Sequence, residues 1–256
     1  MNKTSSPRGA LWFGVLLVAL APISASAQEP HHHWAYSGAD GPKEWGHLDS
    51  TYSPCSAGHV QSPIDIKKAK KADLPQLQFN YQRVPLNLID NGHTVQVNYP
   101  AGSTLTVGDK TYTLKQFHFH HPSEEHVRGH EYDMVAHLVH ADANGHLAVV
   151  AVFLEKGNAS NKFIDSVWKN FPSEKEKAVD VPSVNINLND LLPPNHAYYT
   201  FSGSLTTPPC SEGVTWYVLE NPVTLSEQQI AVFTKLYPRN ARPIQAAYGR
   251  EVLESK

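Results

Sequence analysis

Along much of this chain apolar and polar residues alternate with the two-residue period of half-buried strands rather than the 3.6-residue period of helices. The runs 77–81, 94–99, 104–107, 114–120, 132–140, 147–154, 198–203 and 214–219 are rich in β-branched and aromatic side chains and are bounded by Gly, Pro and Asn, so each is expected to be a strand. Helical periodicity is confined to 162–170 and 226–237, the second opened by Ser226 as an N-cap and closed before Pro238. No internal repeat and no long linker interrupts the pattern. A single β-dominated α+β domain with a few peripheral helices is therefore expected, with the charged stretches 67–71 and 173–177 as solvated loops.

The N-terminus changes the setting. Lys3 and Arg8 precede an apolar run over 10–21, and Ala25-Ser26-Ala27 supplies the small-x-small pattern of a leader cleavage site. Residues 1–27 read as a signal peptide and 28–256 as the exported domain. The apolar run is too short to span a bilayer, no second one follows, and no cysteine lies beside the cleavage site to carry a lipid. A periplasmic or secreted location follows, without a membrane partner. The formal net charge is −3 and loses two more positive charges with Lys3 and Arg8, a balance that argues against nucleic acid. Cys55 and Cys210 are the only cysteines; in an oxidising compartment they read as one disulfide, with two unrelated thiols as the alternative.

Candidate chemistry lies in two of the expected strands. In Gln116-Phe117-His118-Phe119-His120 the two histidines share a face and the phenylalanines take the other. The midpoint between His118 and His137 falls at Val127 and Arg128, where an antiparallel return would turn, so His137 comes back beside the first pair. Three neutral imidazoles with no evident fourth protein ligand describe a zinc site of the catalytic, open kind. Among fifteen histidines a His-x-His is often only a surface pair, but His137 sits in an apolar strand where an unpartnered ring is costly to bury. His121 and His140 have the wrong parity to join, and His140 reads as a hydrogen-bonded core histidine. His31 to His33 read as a mobile terminus that picks up metal adventitiously.

The ordered pieces His33-Trp34-Ala35-Tyr36, Gln61-Ser62-Pro63-Ile64-Asp65-Ile66, Asn91-Gly92-His93, Gln116 to His120, Ser123-Glu124, His137-Leu138-Val139-His140, Ser204-Leu205-Thr206-Thr207-Pro208-Pro209-Cys210 and Asn240-Ala241-Arg242-Pro243 resemble the α-class carbonic anhydrases of exported bacterial type, over about 34–242. The resemblance implies a large, twisted, mostly antiparallel central sheet. It implies zinc on His118, His120 and His137, whose water ionises to the hydroxide that attacks carbon dioxide to give bicarbonate. Thr206 and Glu124 match the pair that orients this nucleophile, and His93 matches the proton shuttle. Val139, Val149, Leu205, Thr207, Val214 and Trp216 match the substrate pocket, with Gln96 an accessory polar position. Gln116 and the backbone around Asn240 match the partners that hold His118 and His120. Inhibitory anions, sulfonamides and a second copy of the chain as a homodimer partner are further implications.

One position departs from the family. The acid that holds the third ligand is commonly a glutamate two residues before it, and here that residue is Val135, so another group must receive the free ring N–H of His137, or it meets water. Two other readings stay open. His118-x-His120-x3-Glu124 followed by Gly129 imitates the first motif of a cupin metalloenzyme, with Glu124 as a ligand, although the Pro-x-Gly-x-x-His of the second motif is missing. The other is an anhydrase-fold binding protein without catalysis.

Overall fold

The expected alternation becomes a sheet whose faces feed two separate cores. A computed structural model of the chain describes Met1 and residues 33–256; the leader assigned to 1–27 lies outside the described residues, apart from Met1, and so do His31 and His32. Ten strands follow one path: β1 Lys70–Ala72, β2 Val84–Asp90, β3 Val95–Asn98, β4 Lys110–His120, β5 Met134–Ala141, β6 Leu147–Gly157, β7 Val179–Ile186, β8 Tyr198–Ser204, β9 Glu212–Leu219 and β10 Leu253–Ser255. Their order across the sheet is β7-β2-β3-β4-β5-β6-β9-β8-β10-β1. Most neighbours are antiparallel, while β6 with β9 and β10 with β1 run parallel, so the sheet is mixed.

Strand β6 shows how the sequence divides the interior. Ala148, Val150, Val152 and Leu154 face one cluster, with Phe117, Phe119 and Leu138 of β4 and β5. Val149, Ala151 and Phe153 face the other, with Val135, Phe201 and Trp216. A strand buried on both faces carries an unbroken apolar run, which is why 147–154 lacks polar alternation. The first cluster is covered by the helices Lys162–Trp168 and Glu227–Leu236 through Phe163, Ile164, Val167, Trp168 and Phe233. Ser226 caps the second helix in a capping box with Gln229. Gln229 also donates to Asp165 at 2.7 Å and accepts from Asn161, joining the two helices.

Two segments without an expected strand carry short strand pairings. Residues 70–72, inside the lysine-rich stretch, form edge strand β1, because the C-terminal strand β10 comes beside them in parallel register. Lysines suit such an edge, since their charge opposes pairing with another chain. Likewise, within the return between β4 and β5, His126–Val127 pairs in parallel with Asp65–Ile66 and turns back through Arg128 and Gly129 at φ 53 and 80.

Cys55 and Cys210 are bonded across a sequence separation of 155 residues. The bridge ties the short helix Pro54–Ala57 to the segment that follows β8, and Gln61 Nε2 and Arg242 Nη2 bond the carbonyls of Cys210 and Cys55 at 3.0 Å each. Replacing both cysteines with alanine is expected to lower the free energy of unfolding by about 2–5 kcal/mol, read from urea titration. An unchanged midpoint and slope would show that the bridge adds nothing to stability.

Candidate active site

His118 and His120 project from β4 onto the face of the second core, and His137 of β5 lies directly opposite His118 in the antiparallel register. Ring centroids are 5.0 Å apart for His118 and His120, 5.6 Å for His118 and His137, and 4.7 Å for His120 and His137. These three are the only group of potential ligands among the described residues whose donor atoms converge, within 4.8 Å of one another. Glu124 does not belong to that group, so the four-ligand arrangement of a cupin is not favoured.

Each ring has one nitrogen already engaged. His118 Nδ1 lies 2.8 Å from Gln116 Oε1, His120 Nδ1 lies 2.7 Å from the Asn240 carbonyl, and His137 Nε2 lies 3.0 Å from Glu125 Oε2. Gln116 Oε1 and the Asn240 carbonyl are acceptors, and so is Glu125 when ionised; each engaged nitrogen then carries the proton and the other is left with a lone pair. The free set is Nε2, Nε2 and Nδ1. Burial holds His120 down to about 4 and His137 down to about 3, and burial with the neighbouring rings holds His118 well below its usual range, so the imidazoles are neutral.

A divalent metal fits this donor set. His120 Nε2 is buried with no hydrogen-bond partner, an orphan that a cation satisfies. Burial also pushes Glu124 up to about 7 and Glu125 up to about 8, and a nearby cation is what stabilises their charged forms. Both cysteines are spent in the disulfide, so no thiolate competes with the nitrogen donors. Three neutral imidazoles suit zinc.

The open side of the cluster faces a cavity of about 110 Å³ lined by Gln116, His118, His137, Val139, Val149, Leu205, Thr206, Thr207 and Trp216. Trp216 stands edge-on to His137 at 5.0 Å and donates from Nε1 to the Ser204 carbonyl. Val214 is not on this lining; it is buried behind it in the second core. Gln96 is also off the lining, sitting across from His118 and donating to Asn98 Oδ1.

Thr206 lies on the cavity wall, in a segment fixed by Leu205 N to the Ser211 carbonyl and by Cys210 N to the Thr207 carbonyl. Its side chain lies beside the Glu124 carboxyl and lowers its pKa against the stronger upward push of burial. Glu124 is 1% exposed, and its Oε1 accepts from the backbone N–H of Arg242 at 2.7 Å. Glu124 Oε2 lies 3.5 Å from His120 Nε2 and 3.8 Å from His137 Nδ1, too far for hydrogen bonds.

His93 stands outside the cavity wall, in a turn where Asn91 Oδ1 accepts from both His93 N and Thr94 N. Its ring stacks on Trp34 at 3.7 Å and an interplanar angle of 7°. Burial, with His33 and Lys175 nearby, lowers its pKa. Asn240 links it to the histidine cluster: Nδ2 donates to the His93 carbonyl at 3.0 Å, while the Asn240 carbonyl holds His120. His140 is fully buried and bonds Tyr81 Oη at 2.9 Å, as its parity implied. The group facing His137 Nε2, left unassigned by the sequence, is Glu125.

A sequence profile described as eukaryotic-type carbonic anhydrase matches residues 40–256. A carbonic anhydrase of Neisseria gonorrhoeae is 42% identical over 243 residues, covering 94% of this chain and 95% of that one. A hyperthermostable carbonic anhydrase from an active hydrothermal vent chimney superposes with a TM-score of 0.84 at 43% identity, covering 88% of this chain and 100% of that one. The α-carbonic anhydrase of Thermovibrio ammonificans, solved with the inhibitor sulfanilamide, gives a TM-score of 0.82 at 40% identity, over 88% of this chain and 99% of that one. With these likenesses running through the sheet and the histidine cluster it carries, the chain belongs to the α-class carbonic anhydrase family, enzymes of reversible carbon dioxide hydration.

Proposed function

We propose that His118 Nε2, His120 Nε2 and His137 Nδ1 hold a zinc ion, and that carbon dioxide and water are converted to bicarbonate and a proton in the cavity beside it. The observation that carries this reading is the set of three inward lone pairs, each fixed by a hydrogen bond on the far side of its ring. Zinc there supplies a Lewis acid that lowers the pKa of a water at its open position, carbonic anhydrases being the reference case for that effect.

The chain's own residues do the rest. A threonine hydroxyl has one hydrogen to donate. We place that hydrogen on Glu124, whose Oε1 is fixed by the Arg242 N–H and whose Oε2 has no other partner among the described residues, so Thr206 Oγ1 can only accept from the site. The attacking water must then turn its hydrogen to Thr206 and a lone pair toward the substrate. Carbon dioxide is small and apolar, and Val139, Val149, Leu205 and Trp216 offer it a wall without competing donors. Thr207 and Gln116 keep one side of the cavity polar, where charged bicarbonate leaves. His93 receives the released proton and passes it to buffer.

Anions and primary sulfonamides are proposed as competing ligands of the same open position, following the sulfanilamide complex of the Thermovibrio ammonificans protein. A periplasmic or secreted location is supported by the leader-like sequence of 1–27 and by the disulfide; no helix among the described residues is long and apolar enough to cross a membrane. Stopped-flow hydration of carbon dioxide tests the function. Activity is expected to vanish after dialysis against a strong zinc chelator and to return with a single equivalent of zinc. Full activity in metal-free protein would overturn the reading.

A further inference from the structure

We propose that Glu125 is the positioning residue for His137, and that this chain delivers from a loop the carboxylate that position 135 of strand β5 cannot supply. The proposal rests on the zinc reading above. Val135 and His137 are two residues apart on β5 and share a face, so position 135 is where a strand-borne acid could run alongside the ring. It is a fully buried valine packed in the second core. The His137 ring nevertheless has an acceptor, because Glu125 Oε2 reaches Nε2 at 3.0 Å from the segment between β4 and β5.

That segment is clamped on both sides of Glu125. Ser123 Oγ donates to the Glu125 carbonyl and accepts from Tyr132 N, at 2.9 Å each, and Ser123 N donates to the Tyr132 carbonyl. On the other side His126 N donates to the Ile64 carbonyl. The backbone of Glu125 therefore has little freedom, and these clamps hold its side chain inward, where it is fully buried.

Burial there is costly. Glu125 is 0% exposed, and its Oε1 has no hydrogen-bond partner among the described residues. A carboxylate in such a place is worse than a valine for packing alone. What offsets that cost is a bond to a ring whose other nitrogen faces the metal position: the acceptor fixes the tautomer and the ring angle and makes Nδ1 a stronger donor. Glu125 and Val135 thus read as an exchanged pair, one acid and one valine shared between two positions around the same ring.

The test is the rate at which zinc leaves the loaded enzyme into a chromophoric chelator, measured for wild type, Glu125→Gln, Glu125→Val, the exchange variant Glu125→Val with Val135→Glu, and His118→Ala as a benchmark. Release is expected to quicken about 10-fold for Glu125→Gln and about 100-fold for Glu125→Val. The exchange variant should recover at least tenfold of that loss. Metal-free Glu125→Val should melt no lower than metal-free wild type, since it removes a buried acid with one unpartnered oxygen; a residue that only supports the fold would lower that melting temperature. Wild-type release rates in both single variants, with rapid loss in His118→Ala, would overturn the role of Glu125 while leaving the zinc site standing. An exchange variant as leaky as Glu125→Val would overturn the exchanged pair. Wild type that holds no zinc would bring down the zinc reading and this proposal with it. Should Glu125→Val fail to fold, the near-isosteric Glu125→Gln carries the decision.

Discussion

Replacing His118 with alanine is expected to abolish zinc retention and carbon dioxide hydration together while leaving the fold in place. The side chain lies at the mouth of a small cavity and touches Gln116 at a half-buried site, so its loss from the sheet is a modest one. Its loss from the metal is not. A structural zinc contributes about 10–16 kcal/mol through four ligands, hence about 3 kcal/mol for each, which is more than 100-fold in affinity. Three histidine nitrogens converge among the described residues, so His118 supplies a third of that donor set. Metal analysis after chelator treatment and stopped-flow hydration provide the measurement, with near-ultraviolet circular dichroism to check the fold. His31 to His33 should be alanine in both samples so that the terminus holds no metal of its own. Stoichiometric zinc surviving in His118→Ala would show that the ligand set is wrong.

The convergence of His118, His120 and His137 was legible because a strand converts sequence parity into a shared face. His118 and His120 needed only period two, and placing His137 opposite His118 needed only a return whose midpoint falls at 127 and 128. The observed turn runs through Arg128 and Gly129, within a residue of that midpoint. Strands β2 and β7 escaped the pattern for a physical reason. Val84–Asp90 contains Pro85 and Asn87, and Val179–Ile186 contains Pro182 and two Asn or Asp positions, residues that punctuate strands, yet the two pair with each other at a sheet edge where prolines are tolerated. Strand β1 was hidden because its lysines mark a solvated segment whether or not a neighbour pairs with it. Glu125 was out of reach of any parity argument. It lies in an irregular connection, where neither period two nor period 3.6 fixes the direction of a side chain, and only the clamps from Tyr132 and Ile64 turn it inward. Thr206 and Glu124 were legible by resemblance alone, since their proximity is made by chain segments more than eighty residues apart.

If, as proposed, Thr206 orients the nucleophile and His93 only carries the proton away, the two are expected to fail differently when replaced. Thr206→Ala removes the single acceptor that aligns the attacking water and leaves Glu124 with only the Arg242 N–H. Misaligned attack costs on the order of 100-fold, and the loss should appear equally in kcat and kcat/KM, the mark of an interaction made in the transition state. His93→Ala should instead lower kcat by up to about 100-fold in weak buffer, leave kcat/KM nearly unchanged, and regain its rate with a small imidazole buffer. The pH dependence adds a sign. His93 accepts a proton only when neutral, and burial under Trp34, with His33 and Lys175 close by, lowers its pKa from the usual 6.5. Its neutral form therefore persists into mildly acidic solution, so kcat should fall on acidification with a midpoint below 6.5. Trp34→Ala uncovers the ring and should move that midpoint up toward 6.5. Equal losses in kcat and kcat/KM for His93→Ala, without imidazole rescue and with an acid limb that ignores Trp34→Ala, would show that the proton leaves by another route.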